Sequence, residues 1–263
     1  PFLLQLKLER FNVMFNGKFS LIYILTFLAL VKGIFFSFFG LNFFDDGESL
    51  HNGVRLLEGA RLYRDIWAFF PPADNYLPAL MLKISNFHLL SFRFGQSILY
   101  AFFILIVLYI SKFYLKLNNF YLILLAAALI FINIYSNLLF YHFFFFLSLL
   151  LLISFSTRGG NVYLSLAGLS IGVATLFRHD NGVIGFITIT ALLFATSFLF
   201  KLFNKNTFFL SFFYFFVGFS IIIIPTVIWL NLQGTFTEWF YLAFIKAPQI
   251  SKLLSPGIDL API

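Results

Sequence analysis

Apolar residues in this chain do not alternate and do not form narrow stripes; they run on unbroken. The first run extends from about Leu21 to Leu41 and is interrupted only by Lys32. Further runs cover about 92–111, 120–155, 162–177, 183–200 and 208–230. A membrane span needs about 20 apolar residues. A transmembrane barrel would show short alternating segments instead. The run from 120 to 155 would extend about 54 Å as one helix, against a hydrocarbon core of about 30 Å. It must fold back, and Tyr135-Ser136-Asn137 is the one plausible turn. The pattern therefore predicts an all-α, polytopic membrane domain over 1–263. Its seven spans lie at about 21–41, 92–111, 120–134, 138–155, 162–177, 183–200 and 208–230.

The stretch between the first two spans differs in kind. Residues 42–91 form an expected outer loop, which holds six of the ten acids, Asp45, Asp46, Glu48, Glu58, Asp65 and Asp74. Within it, Tyr76 to Leu90 is apolar but short and carries Pro78 and Lys83. It reads as a helix lying in the interface. Composition agrees with the pattern: 61% of residues are hydrophobic and 10% charged. Soluble domains carry about 25% charged residues, so a soluble or disordered chain is excluded. The net charge of +7 is scattered, which argues against nucleic acid. With no cysteine, thiolate metal sites and disulfides are excluded.

Charge also orients the spans. With Lys7, Arg10 and Lys18 in the cytoplasm, seven spans leave Lys112, Lys116, Arg158, Lys201 and Lys205 inside too, in loops without acids. Positive short loops stay inside. The expectation is a multi-pass protein of the plasma (inner) membrane with a cytoplasmic N-terminus. The first span lacks a small-residue cleavage site and reads as an anchor. The start at Pro1 and the loop-like end SPGIDLAPI read as a fragment of a longer protein.

Three constellations could carry chemistry. Asp45-Asp46-Gly47-Glu48 follows the first span, where carboxylates are costly unless used or solvated. One of them could take a proton from a hydroxyl or hold a cation. The bland alternative is a capping box formed by Asp45 and Glu48, opening a helix whose Leu50, Val54 and Leu57 share a face. Arg55, Arg61, Arg64 and Lys83 suit a phosphate, or equally a general contact with anionic lipid. Arg178-His179-Asp180 ends the fifth span on the same outer side, either reaching an anionic headgroup or forming a solvated turn. Gly168 and Gly172 form a GxxxG suited to close helix packing. The four histidines lack metal-like spacing.

An acid pair after the first span, then LLEGARLYRDIWAFFPPADNYLPAL, resembles the first outer loop of integral-membrane glycosyltransferases of the GT-C fold. The similarity is to the branch of protein O-mannosyltransferases and aminoarabinose lipid A transferases. It rests on Asp45-Asp46, on Gly59, Tyr63 and Asp65, on Pro71-Pro72 and Tyr76, and on Gly168, Gly172 and Arg178. Two departures stand out. Many relatives have Glu where Asp46 stands, and relatives carry more spans and often a C-terminal domain. The resemblance implies transfer of a hexose or pentose from a polyprenyl-phosphate donor to a glycan, lipid or protein acceptor, with inversion, on the outer face. By resemblance, Asp45 is the first candidate for the base and Asp46 the second. Arg61, Arg64, Lys83 and Arg178 are the phosphate contacts, with Asp65 and Tyr76 in the same substrate-binding set. The branch generally needs no metal or other cofactor; other branches do, and an aspartate pair leaves a divalent cation open. Two rivals are a transporter or flippase for an anionic lipid or solute, and a non-catalytic assembly subunit.

Overall fold

A computed structural model of the chain describes residues 18–39, 45–131, 139–199 and 205–249. The described residues are helical, with no strand among them beyond an isolated bridge between Leu62 and Ile66. Helix α1 is Lys18–Ser37. Two shorter helices follow, α2 (Asp45–Leu57) and α3 (Pro72–Ile84). Then come α4 (Leu89–Phe113), α5 (Asn119–Phe131), α6 (Leu139–Arg158) and α7 (Asn161–Phe177). Helix α8 (His179–Phe194) ends in a π-helical turn, Ala195–Leu199, and α9 is Lys205–Leu232. A short α10 (Phe236–Phe240) leads into a second π-helical stretch, Tyr241–Lys246.

Among the described residues, four stretches are long and apolar enough to cross a membrane: Leu89–Phe113, Phe140–Arg158, His179–Ser197 and Phe208–Leu232. Three more, Leu21–Ser37, Asn119–Phe131 and Asn161–Phe177, are apolar but shorter. The protein is thus a helical membrane protein. The expected turn at Tyr135-Ser136-Asn137 lies outside the described residues. Helix α4 begins at Leu89, ahead of the expected 92, because Leu89, Leu90 and Ser91 continue the helix of the span directly. Helix α9 runs through Pro225 without ending. Inside a membrane the freed carbonyl can be satisfied by neighbouring helices or side chains.

Lipid tails are as apolar as leucine, so helices here associate through close packing and hydrogen bonds. The tightest pair is α7 with α9. A Cβ added at Gly168 would strike the Phe215 carbonyl, and one at Gly218 the Ser165 carbonyl. The glycines let the two backbones touch, with Phe215, Leu164 and Ile171 filling the seam. Helices α1, α4 and α5 form a second unit around Ile22, Ala29, Tyr100, Ile104, Leu122 and Ala126. Within α1, Ser37 Oγ donates to Gly33 O at 2.8 Å, and it meets Ser97 Oγ of α4 at 3.1 Å. Lys32, the charge within the apolar stretch of α1, donates from Nζ to the Ile130 carbonyl near the end of α5.

The stretch between α1 and α4 is folded down on the helix ends. Phe92, Phe140, Tyr141, Ala174 and Phe177 cluster at the ends of α4, α6 and α7, and Leu50, Ala73, Leu77 and Met81 of the loop pack on them. A further cluster joins Leu62, Tyr63, Ile66 and Ala68 of the loop to Leu230 and Leu242. The loop therefore forms a cap that covers the α7–α8 turn on one side and the end of α9 on the other.

Candidate functional site

The cap is built from two short helices and the segment between them. Helix α2 begins at Asp45, so Asp45 and Asp46 occupy its first turn. Unpaired backbone N–H groups and the helix dipole favour carboxylates there. The side chains of both aspartates lie outside the described residues.

The face that α2 buries is not the one its apolar spacing suggests. Leu50, Val54 and Leu57 are only half-buried, whereas Ser49 and Asn52 are 3% and 5% exposed. Asn52 Nδ2 donates to Asn75 Oδ1 of α3 at 2.9 Å. Beside this pair, a Cβ on Gly53 would come within 3.0 Å of the Ala79 nitrogen. Small and amide side chains, not leucines, set the helix spacing.

The connecting segment is pinned at both ends. Gly59 turns the chain at φ +95°. The Arg61 N–H donates to Asp65 Oδ2 at 2.8 Å, and the Asp65 N–H returns a bond to Arg61 O at 2.9 Å. Asp65 thus acts on its own loop. Tyr63 is buried and held at φ 69°, a left-handed conformation that is costly for a bulky residue. Its hydroxyl donates to Phe70 O at 2.8 Å. Burial, and next the Asp74 carboxylate, push the Tyr63 phenol well above its ordinary value, so it stays a neutral donor.

Two features open from this cap. The first is a cavity of about 240 Å³, lined by Gly59, Ala60 and Arg61 on one wall and by Trp229, Gln233 and Thr235 at the end of α9 on the other. Tyr76 closes a corner, its ring edge-on to Trp229 with centroids 5.4 Å apart. Burial raises the Tyr76 phenol above its usual value. The second is Arg178, at the junction of α7 and α8. Its Nε and one Nη donate to the two Asp180 oxygens at 3.2 and 3.1 Å. The guanidinium lies 4.8 Å from the centre of the Phe70 ring of the cap and 5.9 Å from that of Tyr141. The pair is reachable: the two side chains are 25% and 48% exposed.

Of the residues expected from sequence, Arg61 and Tyr76 meet at the cavity, and Arg178 stands under the cap beside Phe70. Arg64 and Lys83 are exposed and line none of these features. Sequence reasoning missed Phe70, which lies inside the quoted stretch without standing out, and Tyr141, Trp229, Gln233 and Thr235, which carry no motif and are remote in the chain. It also missed Arg93. This buried residue donates to Ser37 O at 2.7 Å and Phe39 O at 3.0 Å, capping the end of α1. Among the described residues no group of three metal-ligating side chains comes together. Comparison with models of known families, with characterised proteins and with solved structures finds no match.

Proposed function

We propose that the chain is the membrane domain of a glycosyltransferase with a GT-C-like architecture of seven spans. It moves a hexose or pentose from a polyprenyl phosphate to an acceptor on the extracytoplasmic face of the plasma (inner) membrane. The observation that carries this reading is the position of Arg178. It sits at the junction of α7 and α8, partly exposed and 4.8 Å from the centre of the ring of Phe70, in the same cap whose first helix begins with Asp45 and Asp46.

The chemistry has a definite demand at each end. The bond from the sugar's anomeric carbon to the phosphate oxygen breaks, and polyprenyl phosphate leaves with the electron pair. A guanidinium can bind two phosphate oxygens and stabilises the charge that develops as the bond lengthens. With Asp180 occupying Nε and one terminal nitrogen, the remaining N–H groups of Arg178 serve the phosphate. Asp180 also fixes the plane of the fork. On the opposite side of the sugar, the acceptor hydroxyl attacks and gives its proton to a carboxylate, Asp45 first and Asp46 second. Attack opposite the leaving group inverts the anomeric centre. The lipid tail lies among the exposed phenylalanines of the spans, and no cofactor enters the scheme.

The test is transfer of a labelled sugar from polyprenyl phosphate by the chain in lipid nanodiscs. Asp45→Asn and Asp46→Asn keep shape and still suit a helix start. At least one should lose about 10²- to 10⁴-fold in rate while expressing normally. Full activity in both variants would remove the base and with it the mechanism.

A further inference from the structure

The cavity between the cap and the end of α9 is separate in its lining from the Arg178 pair. Its size is the first clue. Pockets for drug-sized ligands run to about 300–1,000 Å³; at about 240 Å³ this one has room for little more than a single ring. Its walls are the second. Trp229 and Tyr76 stand nearly perpendicular, at 78°, making an aromatic corner. The C–H bonds of a sugar ring are weakly positive and stack on the negative face of such a ring. Gln233 and Thr235 supply an amide and a hydroxyl for sugar hydroxyls, each able to donate and accept. Charge is the third. Arg61 is the one ionisable residue in the lining apart from the Tyr76 phenol; no carboxylate lines the cavity, the nearby Asp65 carboxylate accepting from the Arg61 backbone N–H. The wall that bears it is held in place by the Arg61–Asp65 bonds and the left-handed Tyr63.

We propose that this cavity seats one pyranose ring carrying a negative charge, stacked in the Tyr76–Trp229 corner with its acidic group on Arg61. Its role in turnover rests on the glycosyltransferase reading; its geometry does not. The acidic group has two sources, the carboxylate of a uronate or a phosphate carried by the acceptor sugar; the donor's own phosphate is the one assigned to Arg178.

Saturation-transfer NMR on the chain in nanodiscs separates them, using methyl glucuronide, glucose 1-phosphate and neutral methyl glucoside. At least one charged sugar should bind about tenfold tighter than the neutral one, the effect of a charge-assisted hydrogen bond. Tighter glucuronide assigns the seat to a uronate, tighter sugar phosphate to a phosphorylated acceptor sugar. Arg61→Gln should erase the preference for charge. Trp229→Leu should weaken all three sugars by about tenfold, and Trp229→Phe by less. Arg61 and Gln233 are exposed, so Arg61→Gln and Gln233→Ala keep the test alive if Trp229→Leu does not fold. No binding, no preference for charge, or binding untouched by these variants overturns the proposal. Binding is read without turnover. A chain that binds sugar but transfers none sinks the transferase, and a chain that transfers but binds none of the probes sinks the seat.

Discussion

Arg178 and Tyr63 show how single side chains hold the candidate site. Arg178 is clamped by Asp180 and covered by two aromatic rings, so both its charge and its plane are fixed. Lysine keeps the charge but loses the fork. Arg178→Lys should slow sugar transfer at least about tenfold, and Arg178→Gln by about 10²- to 10³-fold, the scale of losing one preorganised donor to a developing anion. Turnover rates at saturating donor decide it, and unchanged rates would remove Arg178 from the chemistry. Tyr63 works differently, through its bond to Phe70 O. Tyr63→Phe leaves that carbonyl without its donor and should cost about 1–3 kcal/mol of cap stability, read as a lower melting temperature. The phenol titrates higher in the fold than in the open chain, so its contribution is complete below about pH 10. It is lost only as pH rises through the raised value. Melting followed from pH 7 to 9 should therefore show no Tyr63-dependent slope.

At the scale of elements, α7 and α9 are the hinge-free spine of the molecule. Gly168 and Gly218 bring their backbones together, so a larger side chain must push the helices apart. Gly168→Leu should destabilise by more than the ~1–3 kcal/mol usual for overpacking, because the obstacle is backbone carbonyl. The loss of a monodisperse peak on size exclusion would register it. This contact was legible in the sequence, since small residues four apart mark such crossings. The α2–α3 contact was not. Apolar spacing points to Leu50, Val54 and Leu57, while the seam is made by Ser49, Asn52 and Gly53. An amide pair between two short helices leaves no trace in hydrophobic periodicity, because what satisfies Asn52 is Asn75, on another helix. Replacing Asn52 by Leu should loosen the cap and raise its protease sensitivity, while leaving the apolar helices folded.

For the molecule as a whole, composition alone made the membrane legible: long uncharged runs have no other solvent. The candidate site was legible only in pieces. Arg61, Tyr76 and Arg178 stand out because charge and motif mark them. Trp229, Gln233 and Thr235 do not, because their meaning comes from the cap that folds onto them from far back in the chain. Orientation is testable directly in this cysteine-free protein. Glu58 and Lys116 are both exposed. Cysteine at 58 should react with an impermeant maleimide from the outside of intact cells, and cysteine at 116 only after permeabilisation. The reverse pattern would invert the topology.

Lys32 bears on how the protein is made. Its partner, the Ile130 carbonyl, lies 98 residues further along the chain. At about 5–20 residues per second, a ribosome needs roughly 5–20 s to deliver it. During that interval α1 is already emerging from the translocon with an ammonium group in its apolar stretch, at a cost of about 2.5–3.5 kcal/mol near the bilayer centre. Until α5 arrives, snorkelling of the lysine toward the membrane surface is the physical way to lower that cost. Helix α1 is therefore made well before the partner of its lysine exists.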